Sequence, residues 1–158
     1  MYLTIANAAF KAKNYTKAIE YFKKSCDLED GPSCHQVGLM YWEGKGVPKN
    51  PTKTFEYYKK AVDSFIEDGF QSEVQVGYMY LLGIGTQKNY TEAKKYLQEA
   101  CNRPILMGGG GYFSGEACFY LGTMYKGLGF SKNDEKATEC FSKSCQYGYK
   151  ESCKILAR

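Results

Sequence analysis

Residues Tyr21–Asn50 read YFKKSCDLEDGPSCHQVGLMYWEGKGVPKN, and the parts of this stretch return further along the chain. Its ending, Gly44-x-Gly46 with Lys49-Asn50, recurs as Gly83-x-Gly85 with Lys88-Asn89 and as Gly127-x-Gly129 with Lys132-Asn133. A Lys13-Asn14 pair without the glycines precedes them. The four asparagines, Asn14, Asn50, Asn89 and Asn133, stand 36, 39 and 44 residues apart. A period in this range, drifting upward by small insertions, signals stacked helical hairpins.

Outward from that stretch, apolar residues at 3- and 4-residue spacing predict helices over about 2–13, 15–28, 33–43, 51–67, 71–82, 89–102, 115–126, 133–146 and 149–157. Asn14 and Asn50 are expected N-caps, and Ser33 is the expected cap after a break at Gly31-Pro32. Gly44 suits a left-handed helix end, and Pro51 suits a first helical turn. The first helix of each hairpin carries Val37-Gly38-x-x-Tyr41, Val76-Gly77-x-x-Tyr80 or Leu121-Gly122-x-x-Tyr125. The second carries Lys17-Ala18-x-x-Tyr21-Phe22, Lys53-Thr54-x-x-Tyr57-Tyr58, Glu92-Ala93-x-x-Tyr96-Leu97 or Lys136-Ala137-x-x-Cys140-Phe141. An interior glycine costs ~1 kcal/mol of helix propensity against alanine. Its return at one frame position predicts close approach of two helices there.

The 158 residues suffice for one core, so a single domain over 1–158 is expected. Its units fall at about 1–28, 31–68, 71–102 and 115–146, with a capping helix at 149–157 and a Gly-rich insertion at 103–114. The net charge of +4 comes from lysines scattered through every unit, with Arg103 and Arg158 the only arginines. That pattern describes a solvated outer face and argues against a nucleic-acid partner. No apolar run approaches the ~18 residues a membrane span needs, and MYLTIANAAFKAKNY lacks the basic and apolar regions of a leader peptide.

Seven cysteines are many for a reducing compartment. There is no C-x-x-C and a single histidine, so zinc ligand sets are missing and neither metal nor cofactor is expected. Six cysteines fall on the repeat frame: Cys26, Cys101 and Cys145 end second helices, and Cys34, Cys118 and Cys153 open the helices that follow. Six cysteines allow 15 pairings, but the frame brackets each helix–turn–helix alike. It gives Cys26–Cys34, Cys101–Cys118 and Cys145–Cys153. The second unit has Val62 and Glu73 at these positions and is expected to hold by packing alone. Cys140 is left over as a free thiol, expected to be a buried, inert one.

These residues resemble Sel1-like repeats, a subclass of tetratricopeptide-type helical pairs. The likeness is carried by Gly38, Tyr41, Gly44, Gly46, Val47, Asn50, Lys53, Lys60 and Ala61. Cysteines eight apart, from Ser25-Cys26-Asp27-Leu28 to Cys34, resemble the Helicobacter cysteine-rich protein family. The resemblance covers nearly the whole chain; the missing cysteine pair of the second unit and the insertion in the third depart from it. It implies an all-α, right-handed α/α solenoid stapled by disulfides, in a secreted or periplasmic setting. It also implies penicillin binding with weak β-lactamase activity, or interaction with a host protein.

No serine has a lysine at the third following position, and neither S-D-N nor K-T-G occurs, so the residues show no serine β-lactamase constellation. Glu29-Asp30 and Glu67-Asp68 read as solvated helix ends, and His35 as a packed or exposed histidine. No catalytic residue is assigned. The favoured reading is a monomeric scaffold that binds a peptide or protein, from a host or as a cell-wall fragment, on a concave face. Counting from the frame glycines, His35, Leu39, Trp42, Val74, Tyr78, Leu81, Phe119, Thr123 and Lys126 would line that face, extended by Thr4, Ala8 and Lys11. A frame shifted by one residue would instead turn some of them inward. Four consecutive glycines, Gly108–Gly111, should leave the insertion mobile. Around them Ile105, Leu106, Met107, Tyr112 and Phe113 either fold back on the repeats or contact a partner.

Overall fold

A computed structural model describes residues 1–64, 70–103 and 110–157. Among the described residues the chain forms nine helices and no strand: α1 (Tyr2–Lys11), α2 (Tyr15–Cys26), α3 (Gly31–Glu43), α4 (Pro51–Asp63), α5 (Phe70–Leu82), α6 (Tyr90–Asn102), α7 (Gly110–Tyr125), α8 (Asp134–Gln146) and α9 (Lys150–Leu156). The all-α class with disulfide-stapled helical repeats is the one expected.

Asparagines set the junctions. The Asn50 side chain accepts from the Lys53 amide at 3.0 Å and caps α4; Asn14, Asn89 and Asn133 cap α2, α6 and α8 in the same way. The backbone N–H of Asn50 also donates to the Tyr41 carbonyl at 3.0 Å, as Asn89 does to Tyr80 and Asn133 to Tyr125. One residue thus satisfies a carbonyl stranded at the end of one helix and an amide stranded at the start of the next. The chain reaches the asparagine through Gly46, whose φ of +73° is left-handed. A Cβ there would lie 2.5 Å from the Tyr15 carbonyl carbon, which leaves room for glycine alone.

The frame glycines mark close helix approach. A Cβ on Gly38 would lie 2.6 Å from the Tyr58 ring, on Gly77 2.7 Å from Leu97, and on Gly122 2.8 Å from Phe141. The same position of the second helix meets the glycine each time.

The helices pack as two compact units, residues 1–72 with 83–87 and residues 73–82 with 88–158. In the first, neighbouring helices from α1 to α4 pack in chain order. Ala6, Ala9, Ala18, Ile19, Phe22, Val37, Met40 and Tyr41 form its main core. In the second, α6 to α9 pack likewise, around Leu97, Ala100, Ala117, Leu121 and Met124. Small residues sit beside the bridges: Ser152 donates to Ser144 Oγ at 2.7 Å, and Ser144 donates to the Gly115 carbonyl at 2.5 Å.

Three disulfides join Cys26 to Cys34, Cys101 to Cys118 and Cys145 to Cys153, with Cα–Cα distances of 4.7, 4.8 and 4.9 Å. They are the pairs that the repeat frame selects. Each short loop of this kind stabilises by roughly 2.5 kcal/mol in the chain-entropy account, and the longer one by about 3 kcal/mol.

Several expectations need correction. Glu73, at the frame position of a cysteine, does not leave its unit to packing alone: its buried carboxylate pairs with the Arg103 guanidinium just past α6. Burial raises the Glu73 pKa against the opposing pull of Arg103. The cap of α3 is Asp30, not Ser33; its carboxylate accepts from the Ser33 amide at 3.1 Å, and Pro32 fits inside the first turn. α4 ends at Asp63, short of residue 67. α7 starts at Gly110, so Gly110 and Gly111 are helical rather than mobile loop. Packing of Phe113 and Ser114 outweighs their poor propensity. Gly108, Gly109, Ile105, Leu106 and Met107 lie outside the described residues, as does Glu67-Asp68.

Gly38→Ala should therefore destabilise despite its better helix propensity, by roughly 1–2 kcal/mol from overpacking against Tyr58, read as a lower urea midpoint. Arg103→Ala should lower stability by about 1–3 kcal/mol by leaving the Glu73 carboxylate unpaired. Adding Glu73→Gln to Arg103→Ala should recover part of that loss, measured as a double-mutant cycle.

Candidate functional site

The expected face divides when its residues are placed. In the first unit His35 is fixed on both sides. Its ring stacks on Tyr58 with centroids 5.0 Å apart, and Nδ1 lies 2.8 Å from Ser72 Oγ. Burial pushes its pKa down to about 4, so it is a neutral packing residue. Leu39 on the same helix is half-buried, and Trp42 keeps 45% of its surface exposed. Thr4, Ala8 and Lys11 are exposed on α1.

In the second unit the frame needs correction. Val74 and Leu81 are buried in the core with Leu97 and Leu121 and present nothing to a ligand. Their frame partners in the first unit, His35 and Trp42, are not so enclosed, because the repeats preserve the glycine contact but vary in what surrounds it. Thr123 bonds its own helix through the Tyr120 carbonyl at 2.6 Å, and Lys126 pairs with Asp134 at 2.9 Å.

Tyr78, Phe119 and Tyr112, by contrast, come together with two residues that the sequence reading missed. Tyr78 on α5 meets Tyr120 at 4.9 Å between ring centroids, and Tyr120 meets Phe119 at 5.7 Å. Phe119 meets Tyr149, the N-cap of α9, at 5.1 Å, and Tyr149 meets Tyr112 at 5.7 Å. Tyr112 is 57% exposed and the others are partly exposed, so the five rings form a row open to solvent. Phe113, beside Tyr112, packs against the core instead.

Inside this row sits Glu116. The Tyr120 hydroxyl donates to Glu116 Oε1 at 3.2 Å. Burial raises the pKa of the Glu116 carboxyl, partly offset by that hydrogen bond. Tyr120 and Tyr149 are both raised, first by burial and then by the Glu116 charge. One sequence signal pointed here: two residues before the frame glycine, Gln36 and Gln75 give way to Tyr120.

Cys140 is free and half-buried, beside Lys136, Glu139 and Lys143. Burial, helped by Glu139, pushes its pKa up to about 11. It is therefore a thiol, not a thiolate, at neutral pH. Among the described residues no cluster of His, Cys, Asp and Glu could hold a metal, and no helix is long and apolar enough to cross a membrane.

Repeated helical pairs with an internal glycine contact define a tetratricopeptide-type repeat protein. The Sel1 repeat pattern matches residues 10–30, 31–64, 71–104 and 115–149, and the chain belongs to the Sel1 repeat family. Over 41 residues, 26% of this chain, it is 42% identical to the Helicobacter pylori protein named "Putative beta-lactamase HcpC", spanning 14% of that protein's length. It is 43% identical over 49 residues to HcpD of the same organism, spanning 31% of this chain and 16% of that one. Among solved structures, c5321, a protective antigen of uropathogenic Escherichia coli with an SLR fold, aligns over 99% of this chain and 32% of its own. The TM-score there is 0.82 at 25% identity. The H. pylori cysteine-rich protein HcpB aligns over 90% of this chain and 94% of its own, with a TM-score of 0.60 at 27% identity.

The half-buried neutral His35 carries a pH signature. Between about pH 6.5 and about 4 the unfolded chain binds a proton that the folded state refuses. Its contribution is therefore whole above pH 6.5 and declines as the pH falls toward 4, by at most about 1.4 kcal/mol per pH unit. The stability difference between the wild type and His35→Gln, measured in urea from neutral pH downward, should shift progressively against the wild type.

Proposed function

We propose that this chain is an extracytoplasmic recognition module that holds a peptide or protein segment against its repeat surface, with the aromatic row of the second unit as the principal contact. The observation that carries this reading is the row itself: Tyr78, Tyr120, Phe119, Tyr149 and Tyr112 in mutual contact and open to solvent. Rigid aromatic side chains lose little conformational freedom on binding and dominate hot spots. Trp42 offers a second exposed anchor on the first unit. Three disulfides support an oxidising setting, secreted or periplasmic.

β-Lactam binding with slow hydrolysis is the second reading, and the printed names of HcpC and HcpD favour it. Those matches span small parts of both relatives, and the serine-lysine motif is missing from this sequence. Saturable turnover of a chromogenic cephalosporin by the oxidised protein would establish it.

Selection of displayed random peptides on the oxidised chain tests the recognition reading. Enriched peptides should bind Tyr112→Ala roughly tenfold more weakly, the size of an aromatic hot spot, while its melting temperature stays near that of the wild type. Failure to enrich any peptide, or full binding by Tyr112→Ala and Trp42→Ala alike, would remove the reading.

A further inference from the structure

The row of rings has a chemical polarity that a purely apolar surface would lack. Glu116 projects among the tyrosines from α7, one turn before Tyr120, and Tyr120 is its hydrogen-bond donor among the described residues. The charge of Glu116 is felt at Tyr120 and Tyr149; Tyr120 also feels Tyr149 and Tyr78, and Tyr149 feels Tyr112 and Glu151, a carboxylate that Lys154 already pairs at 2.7 Å. The Glu116 carboxylate and the Tyr120 hydroxyl that donates to it therefore sit in a row of rings that continues through Tyr78, Phe119, Tyr149 and Tyr112.

Among the described residues no cation lies over these rings. Elsewhere the protein repeatedly places a lysine over a ring: Lys23 and Lys53 over Tyr41, Lys24 over Tyr21, Lys94 over Tyr125 and Phe130. Among the described residues no lysine or arginine lies over Tyr78, Tyr112, Phe119, Tyr120 or Tyr149, and Glu116 takes part in no ion pair. Among the described residues, this carboxylate, held partly out of water against its own preference for hydration, lacks the counter-charge that Glu73 finds in Arg103. A bound cation would supply it, and aromatic faces would add cation–π attraction.

We infer that the Glu116 cluster is a receptor for one organic cation, the ammonium or guanidinium end of a basic side chain in a bound peptide. This deepens the recognition reading and rests on it for the word peptide. The carboxylate sets the sign of the charge, and the rings select a flat or alkylated cation over a hydrated metal ion. Neighbouring apolar residues of the ligand would then lie along Phe119 and Tyr112.

The test uses the full oxidised chain and two small probes, N-acetylarginine amide and the uncharged N-acetylnorleucine amide, followed by the ring-proton resonances of the tyrosines. The arginine probe should shift Tyr120 and Tyr149 saturably, and the norleucine probe should not. Glu116→Gln keeps an acceptor for the Tyr120 hydroxyl, so it should fold as the wild type does and bind the arginine probe roughly tenfold more weakly. Tyr149→Leu, with the carboxylate intact, should also weaken it. Equal binding of the two probes, no saturable shift with arginine, or undiminished binding by Glu116→Gln would overturn the inference. Displayed peptides separate the two claims. Enrichment without basic residues would leave peptide recognition standing and defeat the cation site. Arginine-probe binding without any enriched peptide would uphold the cation site and defeat peptide recognition.

Discussion

The fold depends on an asparagine that works in two directions at once. At Asn50, Asn89 and Asn133 the backbone N–H closes the helix just ended while the side chain opens the helix about to begin. Helix ends leave backbone groups without partners, and a short loop has few residues with which to satisfy them. Joining both tasks in one residue fixes the angle between consecutive helices, provided the approach to it can adopt left-handed backbone. Gly44 and Gly46 provide that approach. The contact of Gly38 with Tyr58 then follows, because the angle brings those two helices together where only a hydrogen will fit.

Much of this was legible in the sequence because each unit repeats the same solution. Asn50, Gly46, Gly38 and the paired cysteines hold one place in a frame, and a frame seen several times is hard to misread. The errors fell where a unit departs from its siblings. A Gly-Pro pair resembles a break and so points to Ser33 as the cap, but proline is at home in a first turn and Asp30, just before Gly31, takes the role. Local propensity makes Gly110 and Gly111 a loop; the tertiary contacts of Phe113 and Ser114 overrule it.

The candidate site was less legible, for a related reason. Residues counted from the frame glycines presume that equivalent positions have equivalent neighbours. Val74 and Leu81 show the limit of that presumption, since they enter the core while Trp42 remains at the surface. The repeat frame and the insertion point to Tyr78, Phe119 and Tyr112 but not to Tyr120, Tyr149 or Glu116. Their common position depends on α5, α7 and the start of α9 meeting in space. Periodicity within one helix carries no information about such a meeting. The one available hint was a disagreement between repeats, Gln36 and Gln75 against Tyr120, and repeats are informative where they differ as well as where they agree.

Glu73 with Arg103 gives the chain two kinds of fastener with opposite weaknesses. Thiol reagents sever the three sulfur bridges and leave the ion pair untouched. Acid strong enough to protonate a carboxyl already raised by burial leaves sulfur untouched and loosens the ion pair. A change of surroundings therefore chooses which stretch of the chain yields first.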